Sequence, residues 1–180
     1  MTYALKLEQP AKTKPALKLV RTQDLSRDEW LTVRRQGIGS SDAAAAVGLN
    51  PYKSQLQLWM EKTGRDGALP VVDPSDDQSP MYWGTLLEPI VAAHYTRRSG
   101  HRVRRVNAVL QHPEHSWMLA NLDGIVEDPA RGLGVFEAKT TAFRDPSWNQ
   151  GAPDHYLLQL QHYMAVSGLD YAVICVLIAG

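Results

Sequence analysis

The stretch Gly134-Val135-Phe136-Glu137-Ala138-Lys139-Thr140-Thr141 decides how the rest of the chain is read. Val135 and Phe136 are apolar, and Glu137 and Lys139 stand two positions apart. In a strand, residues i and i+2 point to the same face, so a carboxylate and an ammonium would share one surface. Upstream, Leu119-Ala120-Asn121-Leu122-Asp123-Gly124-Ile125-Val126 is an apolar segment interrupted by one acid, Asp123. Asp123 on one strand and Glu137-x-Lys139 on the next is the layout of a metal-dependent phosphodiesterase site. Two carboxylates hold a hard divalent cation, and a lysine works beside the attacking water. By itself the pattern is weak. Asp123-Gly124 is also a hairpin-turn pair, and Glu137 with Lys139 also fits a solvated ion pair of small worth.

Working outward, the next stretch downstream is a helix over Asp154 to Ser167, with Leu157, Leu160 and Met164 as its apolar face. Tyr156, Gln159 and Tyr163 fall on a neighbouring face, Gln159 and Tyr163 one turn apart. A helix that follows the Glu-x-Lys strand can reach back over its site; the plain alternative is a helix with a polar flank. Asp170 to Ala179 reads as a last strand carrying Cys175, the single cysteine, which excludes an internal disulfide and a cysteine-based zinc site. The chain stops soon after that strand, and we expect it to be truncated there.

Upstream, Val103 to Leu110 and Trp117 to Leu122 read as strands around a His112-Pro113-Glu114-His115 turn. With Ile125-Val126 and Leu133 to Thr141 they suggest an antiparallel meander. The two histidines in the turn read as surface residues. Met81 to Ser99 is a helix with Leu86, Leu87, Ile90, Val91 and Tyr95 at helical spacing, Pro89 near its start and Gly100 at its end. Glu88, at the edge of that apolar face, is either a third acidic ligand or a first-turn carboxylate favoured by the helix dipole. Arg97, Arg98, Arg102, Arg104 and Arg105 form the densest basic cluster.

Residues 65–80, rich in Asp, Pro and Gly, read as a loop or lid. Ser54 to Gly64 is a helix with Leu56, Trp59 and Met60 as its packing face. Ser26 and Glu29 mark a capping box for a helix that ends at Arg34 and Arg35. Between these helices, Gly39-Ser40-Ser41-Asp42 leads into a short alanine helix. Hydroxyls and backbone amides there suit a phosphate, with Arg34 close by; the alternative is ordinary capping by Ser40, Ser41 or Asp42. Residues 1–21, with Lys6, Lys12, Lys14, Lys18 and Arg21, read as a mobile basic arm.

At 180 residues and 44% hydrophobic composition, the chain can bury one sizeable core. Lys plus Arg and Asp plus Glu are both 19, so bulk charge does not announce a nucleic-acid partner, and any such surface must be local. With no run of 18 apolar residues and no signal peptide, we expect a soluble cytoplasmic protein.

Five stretches in order carry a resemblance: Arg34 to Tyr52 (RRQGIGSSDAAAAVGLNPY), Trp83 to Glu88 (WGTLLE), Leu119 to Gly124 (LANLDG), Phe136 to Lys139 (FEAK) and Tyr156 to Ala165 (YLLQLQHYMA). Over about residues 25–180 the chain resembles the YqaJ-type viral recombinase family, the phage lambda exonuclease group of the PD-(D/E)xK nucleases. The resemblance implies an α/β, restriction-endonuclease-like core over residues 22–180, a central mixed sheet flanked by helices. It implies Asp123, Glu137 and the Ala138 carbonyl as ligands of Mg²⁺, with Mn²⁺ as a substitute, and Glu88 as a further acidic group. Lys139 would orient or help deprotonate the water, supported by Gln159 and Tyr163. Arg34 with Ser40 or Ser41 would grip a 5′ phosphate. The expected activity is a 5′-to-3′ exonuclease on linear duplex DNA ends in phage-type recombination. Expected partners are a single-strand annealing protein and further copies in a ring trimer. The rivals are an end-independent endonuclease or nickase on the same fold, and a non-catalytic DNA-end binding module.

Overall fold

The computed structural model describes residues 16–70, 73–142 and 145–179. Among the described residues, eight strands divide between two four-stranded sheets. The first sheet runs in the order β1 (Leu17–Arg21), β4 (Ala108–Gln111), β5 (Met118–Ala120), β2 (Ile38–Gly39). The second runs β3 (Arg102–Arg105), β6 (Gly124–Asp128), β7 (Gly132–Ala142), β8 (Ala172–Ala179). The helices are α1 (Arg27–Arg35), α2 (Ala43–Ala46), α3 (Gln55–Lys62), α4 (Pro80–Ser99) and α5 (Asp154–Ser167).

The expected meander is therefore cut in two. The β4–β5 and β6–β7 pairs are antiparallel as read, but the chain changes sheet between Arg105 and Ala108 and again between Ala120 and Gly124. Two pairings are parallel, β2 with β5 and β7 with β8. The latter needs a crossover, and α5 supplies it. Asp123-Gly124 is no hairpin turn: Gly124 opens β6 and pairs with Phe136 and with Arg105. A Cβ at Gly124 would lie 2.9 Å from Val103 Cγ1 and 3.0 Å from the Arg104 carbonyl, so only glycine fits there.

The alternation of β7 sorts its side chains between two packed layers. Val135 turns to α5, in a cluster with Leu160, Tyr163 and Val166. Phe136 turns to α4, in a cluster with Val91, Val126 and Tyr171. Tyr95 closes over the Phe136 ring at 5.2 Å. Because α5 and α4 cover opposite faces, β7 is buried along its middle, and whatever polar residues it carries there must be paired.

The helix ends follow the sequence closely. Ser26 and Glu29 form the capping box of α1, and Ser54 with Gln57 forms that of α3. Gly100 ends α4 with φ of +75°, which suits a glycine. The helix faces follow it less well. In α3 the buried residue is Leu58, while Leu56 and Trp59 are exposed. In α5 Leu157 is exposed, and the buried face runs through Gln159, Leu160, His162, Tyr163 and Val166. In α4 Leu86 and Ile90 are exposed, and Pro89 lies mid-helix rather than near the start.

Residues 17–21, read above as the end of a mobile arm, form β1, antiparallel to β4. No regular apolar alternation marks this stretch; it is held by pairing along the edge of β4, with a register shift between Lys18 and Val20. The remainder of that arm, with Lys6, Lys12 and Lys14, lies outside the described residues. The 65–80 segment is anchored where it is described: Asp66 pairs with Arg35 at 2.9 Å and Trp83 Nε1 donates to the Asp77 carbonyl at 2.7 Å.

Candidate active site

The face of β7 that carries Val135 into the core carries Glu137 and then Lys139 beyond it. Opposite, α5 lays Tyr163, Gln159 and Tyr156 along the same strand. Glu137 is 2% exposed. Its Oε1 meets Lys139 Nζ at 2.5 Å and accepts from Gln159 Nε2 at 2.8 Å. Gln159 Nε2 also donates to the Tyr163 hydroxyl at 2.9 Å, and that hydroxyl donates to the Asn121 carbonyl at 3.2 Å. The chain of bonds thus ties β7 through α5 to the link that carries Asp123. Asp123 itself accepts from the Ala138 amide at 3.0 Å. Lys139 Nζ lies 4.7 Å from the centre of the Tyr156 ring.

The ionisation of this group is dominated by burial. Burial pushes the Glu137 carboxyl up to about 8; Asp123 adds to the rise and Lys139 opposes it. Burial also raises Asp123, against the pull of the Ala138 amide and Lys139. Glu88, facing the same cavity from α4, is raised by burial and by Asp123, and lowered by Arg105 and Lys139. Burial acts to lower Lys139, yet Glu137 and Asp123 outweigh it and hold the ammonium above its ordinary value. Lys139 is therefore a charged donor near neutral pH. Burial thus favours the protonated form of both carboxyls.

Does this donor set fit a divalent ion? Glu137 Oε2 is buried with no hydrogen-bond partner among the described residues, and Asp123 is near enough to raise the Glu137 carboxyl. That position is satisfied by a proton or by a cation. The donors are hard oxygens, as Mg²⁺ requires, and Mg²⁺ needs only one or two carboxylates beside waters and substrate phosphate. Among the described residues no three histidine, cysteine or acidic side chains close on one point. The set fits an open Mg²⁺ site rather than a protein cage, with Glu88 outside the immediate carboxylate pair.

Asp123, Glu137, Ala138, Lys139 and Glu88 line one cavity of about 910 Å³. Its wall also carries Arg34, Ser40 and Ser41. Arg34 Nη2 donates to Ser41 Oγ at 2.8 Å, and its guanidinium lies 4.7 Å from the Trp30 ring centre. Ser41 is exposed; Ser40 is buried with an unpaired hydroxyl. Behind them Asp42 is 2% exposed and faces Lys62 at 2.7 Å, with Arg34 and Lys53 each at 3.6 Å. Burial acts to raise Asp42, but Arg34, Lys62 and Lys53 prevail and hold it below the usual carboxylate range. The four-residue α2 is too short for its dipole to matter much, so an anion here would be held by side chains rather than by a helix end.

All the candidate residues thus face one cavity. Several others on or behind its wall were not singled out from sequence. Lys53 and Lys62, which pair with Asp42 behind the wall, come from the next helix region and have no local signature. Trp148 and His155 line the cavity from a short turn after β7 and from the first turn of α5. Arg105 was visible only as part of a basic run; its register opposite Gly124 sets it beside Asp123.

Residues 29–170 match the family described as the YqaJ-like viral recombinase domain. The chain is 41% identical over 172 residues to the uncharacterized protein YqaJ of Bacillus subtilis (strain 168), covering 93% of this chain and 51% of that protein. A shorter likeness, 35% over 63 residues, joins it to protein D345L of African swine fever virus, covering 35% of this chain and 16% of that protein. The chain spans about half the length of the first of these relatives, and less of the second. Among solved structures it is similar to an alkaline exonuclease, LHK-Exo, from Laribacter hongkongensis. The TM-score is 0.62 at 22% identity over 84% of this chain and 74% of that one. LHK-Exo in complex with dAMP gives 0.59 at 23% identity, over 83% and 73%. These likenesses show the restriction-endonuclease-like α/β fold. The match over residues 29–170 and the relative that follows nearly the whole chain agree: the chain belongs to the YqaJ-like viral recombinase domain family.

Proposed function

We propose that the chain hydrolyses phosphodiester bonds of linear duplex DNA, stepwise from a 5′-phosphorylated end, with Mg²⁺ as cofactor and Mn²⁺ as a substitute. One observation carries this reading: Asp123, Glu137 and Lys139 meet in the same cavity as Arg34 and Ser41. A carboxylate pair for a metal and a cationic pocket for a phosphate are what an end-dependent nuclease needs, and a binding module has no use for the first. The name of the structurally similar exonuclease and the family's description as a viral recombinase support it.

When bound, Mg²⁺ would polarise the scissile phosphate and acidify a water. The chain's own part is positioning. Asp123 and Glu137 would hold the ion, the latter kept in place by Gln159, and Tyr163 braces Gln159 against Asn121. Lys139, charged near neutral pH, would hold the attacking water in line and offset charge on the phosphorane. It serves as a donor rather than as the proton acceptor. Arg34 and Ser41 would hold the 5′ phosphate, with the Ser40 hydroxyl free to add a bond. Such an enzyme prepares single strands for an annealing protein, and a ring of copies would keep it on its substrate.

The test is degradation of 5′-phosphorylated linear duplex in Mg²⁺, with closed circular DNA alongside. Wild type should degrade the linear substrate alone, and Lys139→Ala should lose on the order of 10³-fold in rate, the scale of one transition-state donor, while still binding duplex. Cutting of the circle would replace this reading with an endonuclease. Folded protein that binds ends and cuts neither substrate would reduce it to a binding module.

A further inference from the structure

We propose that Tyr52, Trp148, His155 and Tyr156 form a nucleobase-binding subsite beside Lys139, which stacks the base of the terminal nucleotide once it leaves the duplex. This rests on the nuclease reading. All four residues line the cavity that holds the carboxylates and the anion pocket. They also touch one another in sequence. Trp148 stacks on Tyr156 with ring centres 5.5 Å apart and planes 30° off parallel. Tyr156 lies 4.1 Å from the His155 ring, and His155 meets the edge of Tyr52 at 5.9 Å.

This row is not part of the core. Neither buried cluster includes any of the four, and Tyr52 is 78% exposed. Its position is nonetheless fixed. The Tyr52 amide donates to Asn50 Oδ1 at 2.8 Å. Trp148 sits on a short turn capped by Asp145, and Asp145 accepts from Thr141 Oγ1 on β7 at 2.7 Å. The strand that carries Glu137 and Lys139 thus also anchors the turn that carries Trp148.

The row has a polar group to spare. His155 Nε2 is buried and has no hydrogen-bond partner among the described residues. A buried polar atom without a partner needs a reason, and a base edge within the cavity supplies one. Aromatic faces with a lone polar atom among them are how unpaired bases are held: every base has a π-face, and one hydrogen bond orients it. With the 5′ phosphate at Arg34 and the scissile phosphate at Lys139, the base of the nucleotide between them is the group left to place.

The test compares 5′-phosphorylated duplexes whose terminal nucleotide is intact or abasic. For wild type, removing the base should raise KM roughly tenfold, the scale of one base–aromatic stack, with kcat little changed. Tyr52→Ala should carry about that penalty on the intact duplex and show no further loss on the abasic one. Tyr52→Phe, which keeps the ring, should restore the discrimination. Thermal melting checks that each variant is folded. Penalties that multiply, or a wild type indifferent to the base, would overturn the subsite. If nothing is cleaved, anisotropy titrations of the two duplexes in EDTA separate the cases. Tighter binding of the intact duplex, lost in Tyr52→Ala, keeps the subsite while the nuclease reading fails; equal binding overturns the subsite.

Discussion

Gln159 ties the Glu137 carboxylate to the helix that covers it. Its amide bridges Glu137 Oε1 and the Tyr163 hydroxyl, and it is buried with them. A side chain that orients a metal-binding carboxylate is worth about 10–100-fold in metal affinity. Gln159→Ala should therefore raise the Mg²⁺ concentration for half-maximal cleavage by about that factor, with a smaller effect at saturating Mg²⁺; a titration of rate against Mg²⁺ measures it. Residue relationships of this kind were legible where they are local. Glu137 with Lys139 follows from the two-residue period of a strand, and Gln159 with Tyr163 from the turn of a helix. The cage of Lys53, Lys62 and Arg34 around Asp42 was not legible, because its members meet only after α1, α2 and α3 have packed.

At the scale of elements, β7 shows why sequence reading stops where it does. The strand, its alternation and the helix after it were all readable from apolar spacing. Its parallel partner β8 and the division into two sheets were not, since pairing is chosen by long-range contacts that a period of two cannot encode. Gly134 is one such contact. A Cβ there would lie 2.3 Å from two carbons of the Tyr171 ring, whose hydroxyl is held by the Gly132 carbonyl at 3.0 Å. Gly134→Ala should thus destabilise the fold by about 1–3 kcal/mol, the scale of overpacking a core, as read by denaturant unfolding. The exposed Leu86 and Leu157 show the converse limit: helical spacing identifies an apolar stripe but not how much of it is covered.

For the molecule as a whole, the carboxylate pair sets how stability responds to pH. Glu137 titrates near 8 in the fold against an ordinary 4.5. Between those values the unfolded chain has lost a proton that the folded chain keeps, so stability falls as pH rises from about 4.5 to about 8 and levels off above it. Below that window Asp42 acts in the opposite sense, since its carboxyl is held low: its contribution is lost as acid protonates it. On the proposed function Mg²⁺ would take the place of the Glu137 proton, so its affinity should rise with pH through the same window. Melting temperatures measured from pH 5 to 9 should slope downward in EDTA and be nearly flat in saturating Mg²⁺. A flat profile in EDTA would mean that Glu137 is ionised in the fold.

The link of residues 121–123 has a further consequence. It joins β5 of one sheet to β6 of the other, so Asp123 stands on the seam while Glu137 stands within the second sheet. An ion held by both would act as a rivet through that seam. On the proposed function, catalysis and mechanical integrity would then be one property: a molecule without the ion would loosen first along the line of its proposed site. Amide exchange in β5 and β6 should slow together when Mg²⁺ is added, while that of β1, at the far edge, should not change.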